Sequence, residues 1–208
     1  MSDYRIAVFG SGNGSNFQAI ADQVQAGQLD VKIELLVCDQ PQAKIIERAE
    51  KAGVETLVLT LKQFESKAAY EEAILERLTE KQVDLIVLAG YMKLISPVLL
   101  NAYKGRIINI HPSLLPSFPG KQGVADAFEY GVKVTGCTVH FVDEGMDTGP
   151  IIAQQAVPVL DHDTVESLHQ RIHEAEQQIY PEVVRSLAQG LIKLNGRKVS
   201  KRNGFIER

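Results

Sequence analysis

Five runs rich in valine, isoleucine and leucine punctuate the first half of the chain: RIAVFG (5–10), VKIELLVC (31–38), ETLVLT (55–60), DLIVLAG (84–90) and GRIINI (105–110). They are apolar nearly throughout rather than alternating, so both faces of each must be covered. Between them lie NFQAIADQVQAG (16–27), PQAKIIERAEKAG (41–53) and FESKAAYEEAILERLTEK (64–81). Ala73, Ile74 and Leu78 recur near helical spacing, and Gly27 and Gly53 stand where helices end. Strands and helices in this alternation predict an α/β fold, a Rossmann-like, mostly parallel sheet with helices on both faces.

The order changes after about residue 110. TGCTVHFV (135–142) and PIIAQQAVPV (150–159), joined by DEGMDTG, predict antiparallel strands added in the C-terminal third. A long amphipathic helix is expected from about Thr164, with Asp163 or Thr164 as N-cap and Glu166 in its first turn. LIKLNGRKV reads as a hairpin turning at Asn195-Gly196. No repeat or linker interrupts the chain, so a single domain over 1–208 is expected.

The formal net charge of −4 speaks against nucleic acid or an anionic membrane as partner. The basic end, RKVSKRNGFIER (Arg197, Lys198, Lys201, Arg202, Arg208), reads as a solvated tail. There are two cysteines, Cys38 and Cys137, and no apolar run approaches the ~20 residues of a membrane span. MSDYRIAVFGSG lacks a signal-peptide layout. A cytoplasmic protein without structural disulfides is expected.

The first strand runs into FGSGNGSNF, where Gly10, Gly12 and Gly14 separate strand from helix. Such a turn lets backbone approach an anion, which the free N–H groups and dipole of the next helix then hold. Three readings stay open. Gly12, Asn13, Gly14, Ser15 and Asn16 offer many donors to one compact phosphate monoester. A dinucleotide fingerprint would use Asp39 as its acid, but Ser15 replaces the third glycine. A tight turn with no ligand is the third.

The fifth run ends in IINIHPSLLPSFP (107–119). Strand alternation puts Asn109 and His111 on one side, at the end of a strand where ligands of open parallel sheets bind. An amide and an imidazole aimed together can address one carbonyl: the amide donates to its oxygen, and a protonated ring stabilises an oxyanion or moves a proton. Pro112, Pro116 and Pro119 limit backbone freedom behind them. A carboxylate should orient the ring, and Asp143, Glu144 and Asp147 are the candidates; spacing does not choose among them. No serine or cysteine sits in a nucleophile elbow, and Cys137 reads as core. His140, His162, His169 and His173 show no metal-site spacing beyond the helical pair His169/His173, so no metal is expected. The pattern suits direct transfer between two bound substrates.

GSGNGSN, AGYMKLIS (89–96), NIHPSLLPSFPG (109–120) and VDEGMDTGPII (142–152) together resemble the phosphoribosylglycinamide formyltransferases over nearly the whole chain. The resemblance implies formyl transfer from 10-formyltetrahydrofolate to glycinamide ribonucleotide in purine biosynthesis. It implies a catalytic trio of Asn109, His111 and Asp147. It places the ribonucleotide phosphate on Gly14, Ser15 and Asn16, with Glu176 contacting the ribonucleotide. The folate falls on Met92, Lys93, Leu94 and Ile95 and on the Val142–Asp147 loop, including Asp143 and Glu144, with Lys67 nearby. An N-terminal phosphate-binding half (about 1–100) and a C-terminal catalytic and folate half (about 101–208) follow, in a monomer or homodimer. Relatives usually carry a histidine near Val124; GKQGVADA has none, so that segment is expected to be a mobile cover loop.

Methionyl-tRNA formyltransferases share the trio but need a further C-terminal domain and a basic surface. Formyltetrahydrofolate hydrolases share it too and normally carry an N-terminal regulatory domain, whereas here the first strand is expected to begin at about residue 5. A non-catalytic nucleotide-binding module built on the glycine turn would ignore folates.

Overall fold

The computed structural model describes residues 3–202, and the chain divides after Asn109 into two compact units. In the first unit the strands are β1 (Arg5–Gly10), β2 (Lys32–Cys38), β3 (Thr56–Val58), β4 (Leu85–Leu88) and β5 (Ile107–His111), whose last two residues cross the division. The helices are α1 (Ser15–Gln25), α2 (Lys44–Lys51), α3 (Lys67–Glu80) and α4 (Pro97–Ala102). β1 pairs in parallel with β2 and β4, β2 with β3, and β4 with β5.

The uniformly apolar strands are explained by burial. Ile6 to Phe9, Leu35 to Val37, and Ile86 and Val87 are inaccessible to solvent. Three of the helices each present one buried stripe: Phe17, Ile20 and Ala21 from α1, Ile45 and Ala49 from α2, Tyr70, Ile74 and Leu78 from α3. Gly27 and Gly53 follow the helix ends with φ of 68° and 70°, the left-handed conformation that closes a helix.

The second unit holds α5 (Gly123–Tyr130), β6 (Val134–Phe141), β7 (Ile151–Pro158), α6 (Val165–Ala188), β8 (Ile192–Asn195) and β9 (Lys198–Lys201). β6 and β7 are antiparallel, and α6 packs on both through a face that includes Leu168, Ile172, Ile179, Tyr180 and Val183. Thr164 caps α6: its Oγ1 accepts from the Ser167 N–H at 3.2 Å, and Ser167 Oγ accepts the Thr164 N–H at 2.9 Å. Asp163 is held beside the cap by both terminal nitrogens of Arg171. The main sheet has seven strands in the order β3-β2-β1-β4-β5-β6-β7, mostly parallel, with β8 and β9 forming a separate pair.

Local expectations need correction. The third strand spans three residues rather than 55–60. The hairpin closes on the Asn195–Lys198 pair, so its turn is Gly196-Arg197, one residue later than expected. Residues 198–201 are strand, not tail, and the Arg197 guanidinium donates to the Thr148 carbonyl at 2.7 Å; Arg208 lies outside the described residues. Two short helices, α4 and α5, went unread. α5 occupies part of the expected cover loop and buries Val124 and Ala127.

Candidate active site

In the first unit the glycine turn is shaped by its neighbours. Gly14 caps α1 with φ of 76°, and a Cβ there would lie 2.5 Å from the Ile45 side chain. Gly12 has open space where a Cβ would go and no left-handed φ, so the fold itself does not require glycine there. Ile45 donates its N–H to Gly12 O, and Arg48 donates to Asn13 O at 2.8 Å and to Asn13 Oδ1 at 3.3 Å. Arg48 thus braces the turn, a role the sequence signals only as one more basic residue on an amphipathic helix. Ser15 and Asn16 open α1, with Asn16 buried.

Asp39 is buried just beyond β2, and both oxygens are engaged. Oδ1 accepts from Ser11 Oγ at 2.5 Å; Oδ2 accepts from Gln40 Nε2 at 3.3 Å and lies 3.3 Å from Lys93 Nζ. A dinucleotide's ribose would need that carboxylate free.

The Met92–Ile95 stretch follows β4. Met92 and Leu94 are exposed, while the flanks are fixed. Tyr91 shares a hydrogen bond with Tyr70, and the buried Glu71 carboxylate accepts from Ser96 N–H at 2.8 Å and Ser96 Oγ at 2.6 Å. Lys67 lies on α3 one turn before Tyr70 and Glu71, so helical spacing puts it on the face that grips this stretch.

β5 carries Asn109 and His111 on alternate positions of one face, Asn109 half-buried and His111 buried. The proline segment behind them is held by Thr138 on β6. Its hydroxyl donates to Ser113 O at 2.7 Å and accepts from Leu115 N–H at 3.0 Å and from Gln154 Nε2 at 3.0 Å. The Leu115–Pro116 bond is cis.

His111 faces oxygen on both ring nitrogens. Nε2 lies 2.8 Å from the Phe118 carbonyl, and Nδ1 lies 3.5 Å from Asp147 Oδ2. A carbonyl only accepts, so the hydrogen of that bond sits on Nε2. Geometry also separates the three acids. Asp143 Oδ1 is taken by Thr148 Oγ1 at 2.6 Å and Gly145 N–H at 3.1 Å, Glu144 is exposed, and Asp147 is the one at the imidazole. Asp147 adopts φ of 55° and also accepts the Gly120 N–H at 2.8 Å.

Two neighbours were not anticipated. His140 Nε2 lies 3.8 Å from Asp147 Oδ1, and its Nδ1 lies 2.8 Å from Phe141 O. Burial lowers the His140 pKa below its ordinary 6.5. A Cβ on Gly123, the first residue of α5, would come 3.0 Å from His111 Nε2 and 2.8 Å from Phe118 O. In sequence, His140 looks like one of several spare histidines, and Gly123 sits in a segment that looks like loop.

Elsewhere, buried Glu176 accepts from His173 Nδ1 at 2.9 Å, and the His169 and His173 rings stack with centroids 6.2 Å apart. Among the described residues no group of three or more His, Cys, Asp or Glu could hold a metal ion. Cys38 and Cys137 are buried and free, and burial pushes the Cys137 thiol up to about 12, unsuited to a nucleophile. No helix among the described residues is long and apolar enough to cross a membrane.

Comparison with known proteins bears on this geometry. The family described as formyl transferase matches residues 4–184. Phosphoribosylglycinamide formyltransferase of Bacillus subtilis is 56% identical over 183 residues, which cover 88% of this chain and 94% of that one. The crystal structure of glycinamide ribonucleotide transformylase 1 from Symbiobacterium toebii superposes with a TM-score of 0.93 at 47% identity, covering 96% of this chain and 94% of that one. A formyltetrahydrofolate deformylase from Pseudomonas syringae is a more distant likeness, with a TM-score of 0.89 at 25% identity over 96% of this chain and 66% of that one. With matches of this extent and identity, the chain belongs to the phosphoribosylglycinamide formyltransferase family.

Proposed function

We propose that the chain transfers the formyl group of 10-formyltetrahydrofolate to the primary amine of N1-(5-phospho-D-ribosyl)glycinamide, a step of purine biosynthesis in the cytoplasm. The observation that carries the reading is His111. It is buried, it faces oxygen acceptors on both ring nitrogens, and it shares a strand face with an amide two residues earlier.

The substrate amine attacks the formyl carbon, and a carbon–nitrogen bond forms while the carbonyl oxygen gains negative charge. The Asn109 amide and the His111 imidazolium donate to that oxygen. To do so, Nε2 exchanges the Phe118 carbonyl for the oxyanion. The 3.5 Å approach of Asp147 keeps the ring oriented and balances its charge. Collapse of the tetrahedral intermediate breaks the bond between the formyl carbon and folate N10. The amine proton passes to N10, relayed by a water beside Asp147. The chemistry needs no metal.

Gly12 supports the phosphate assignment, since open space around it admits an anion to the backbone of Asn13 to Asn16. Glu176 suits the ribonucleotide's hydroxyl groups as an acceptor. For the folate, Met92 and Leu94 offer exposed apolar surface over a fixed backbone; Lys93, Ile95 and Lys67 and, in the second unit, Val142, Asp143 and Glu144 are the other proposed contacts.

The test follows folate absorbance on mixing the protein with 10-formyltetrahydrofolate, with and without the ribonucleotide. A change that requires the ribonucleotide is expected. The same change without it would assign a deformylase, the alternative favoured by the likeness to the Pseudomonas syringae enzyme. No change in either mixture would leave a nucleotide-binding module.

A further inference from the structure

Ser11 belongs to the glycine turn by sequence, yet its hydrogen bonds lead elsewhere. Its N–H donates to Gly90 O at 3.1 Å, and its hydroxyl accepts the Met92 N–H at 3.0 Å. The hydroxyl's own hydrogen goes to Asp39 Oδ1 at 2.5 Å. The second oxygen of Asp39 faces Lys93 Nζ at 3.3 Å. Met92 and Lys93, consecutive residues, are thus both tied to one buried carboxylate, the first through Ser11 and the second directly.

The order of donors matters. A serine hydroxyl rotates freely unless its hydrogen has a fixed acceptor. The Asp39 side chain is 1% exposed, so it supplies a fixed acceptor and turns a Ser11 lone pair towards the Met92 amide. A short, partly exposed backbone segment is set in place by a charge that a small ligand there would not touch.

Resting on the function proposed above, we infer that Asp39, acting through Ser11, is a positioning residue for the folate rather than for the ribonucleotide. It holds the Met92–Lys93 backbone and the Lys93 ammonium where the folate docks. Its counter-intuitive consequence is that a residue inside the phosphate turn governs the affinity of the other substrate.

The test uses the full chain, with Ser11→Ala, Asp39→Asn, the double variant and Ser11→Thr. Steady-state KM is measured for each substrate, with hydrogen exchange at the Met92 amide. Losing one such bond is expected to raise the folate KM about tenfold in Ser11→Ala and Asp39→Asn, with kcat and the ribonucleotide KM within about twofold. The Met92 amide should exchange faster in both. The double variant should be no worse than the poorer single, because the two act along one path, and Ser11→Thr, which keeps the hydroxyl, should restore the folate KM. An unchanged folate KM, or equal rises in both KM values, would overturn the inference. Should Asp39→Asn fail to fold, Ser11→Ala at its half-buried position carries the test. A wild-type chain that turns over no formyl donor would overturn the function and this inference together. Turnover in the wild type with unaltered variants overturns the inference alone.

Discussion

His111 and Asp147 meet at 3.5 Å although 35 positions separate them, because the β6–β7 connection returns Asp147 to the end of β5. The Asp147 oxygen that faces His111 also accepts the Gly120 N–H. Asp147→Asn keeps the shape and removes the carboxylate charge that faces the His111 ring. We expect kcat to fall by about 10², with circular dichroism and melting temperature close to wild type. Unchanged kcat would remove Asp147 from the mechanism.

Gly123 tests the crowding around the ring. An alanine methyl there would press on His111 Nε2 and Phe118 O. Gly123→Ala should lower kcat at least about tenfold, a barrier change of ~1.4 kcal/mol. Alanine's better helix propensity, worth up to ~1 kcal/mol, partly offsets the contact's cost to stability. Steady-state kinetics beside a melting curve separates the two effects.

The glycine turn makes a contrast between neighbours. Gly14→Ala meets both a left-handed φ and the Ile45 side chain, so it should destabilise the fold by about 1–3 kcal/mol, read by urea unfolding. Gly12→Ala meets neither and should melt like wild type. Its methyl instead obstructs the anion's approach, so the ribonucleotide KM should rise about tenfold or more, roughly 1.4 kcal/mol or more of lost affinity.

Stability should fall in mild acid through His140. Its folded pKa is depressed, chiefly by burial, so the unfolded chain binds a proton first as the pH drops. The stabilising effect is complete above the ordinary value of 6.5 and is lost as pH falls from there through the lower folded value. Melting temperature measured from pH 7.5 down to pH 5 should decline less steeply in His140→Gln, whose side chain does not titrate.

The sheet was legible because its strands are buried on both faces, so RIAVFG and DLIVLAG could not be mistaken for exposed segments. Asn109 and His111 were legible as a pair because alternation along a strand is rigid. α5 was not, since it begins at glycine and no side chain caps it, leaving none of the usual start signals. The turn after Asn195 slipped by one residue because Asn195 itself pairs across to Lys198. Residue spacing left Asp143, Glu144 and Asp147 equivalent. What separates them is which hydroxyl or amide each carboxylate already serves, a property of the folded loop. His140 stayed unread for the same reason, since only the folded link brings Asp147 to it.

In the proposed reaction His111 stabilises charge on the formyl oxygen. The most direct measurement is the single-turnover rate of formyl transfer in His111→Ala, at saturating 10-formyltetrahydrofolate and ribonucleotide. The rate should be lower by about 10²–10³ with both substrates still bound. A rate within about twofold of wild type, a difference of roughly 0.4 kcal/mol in the barrier, would contradict it.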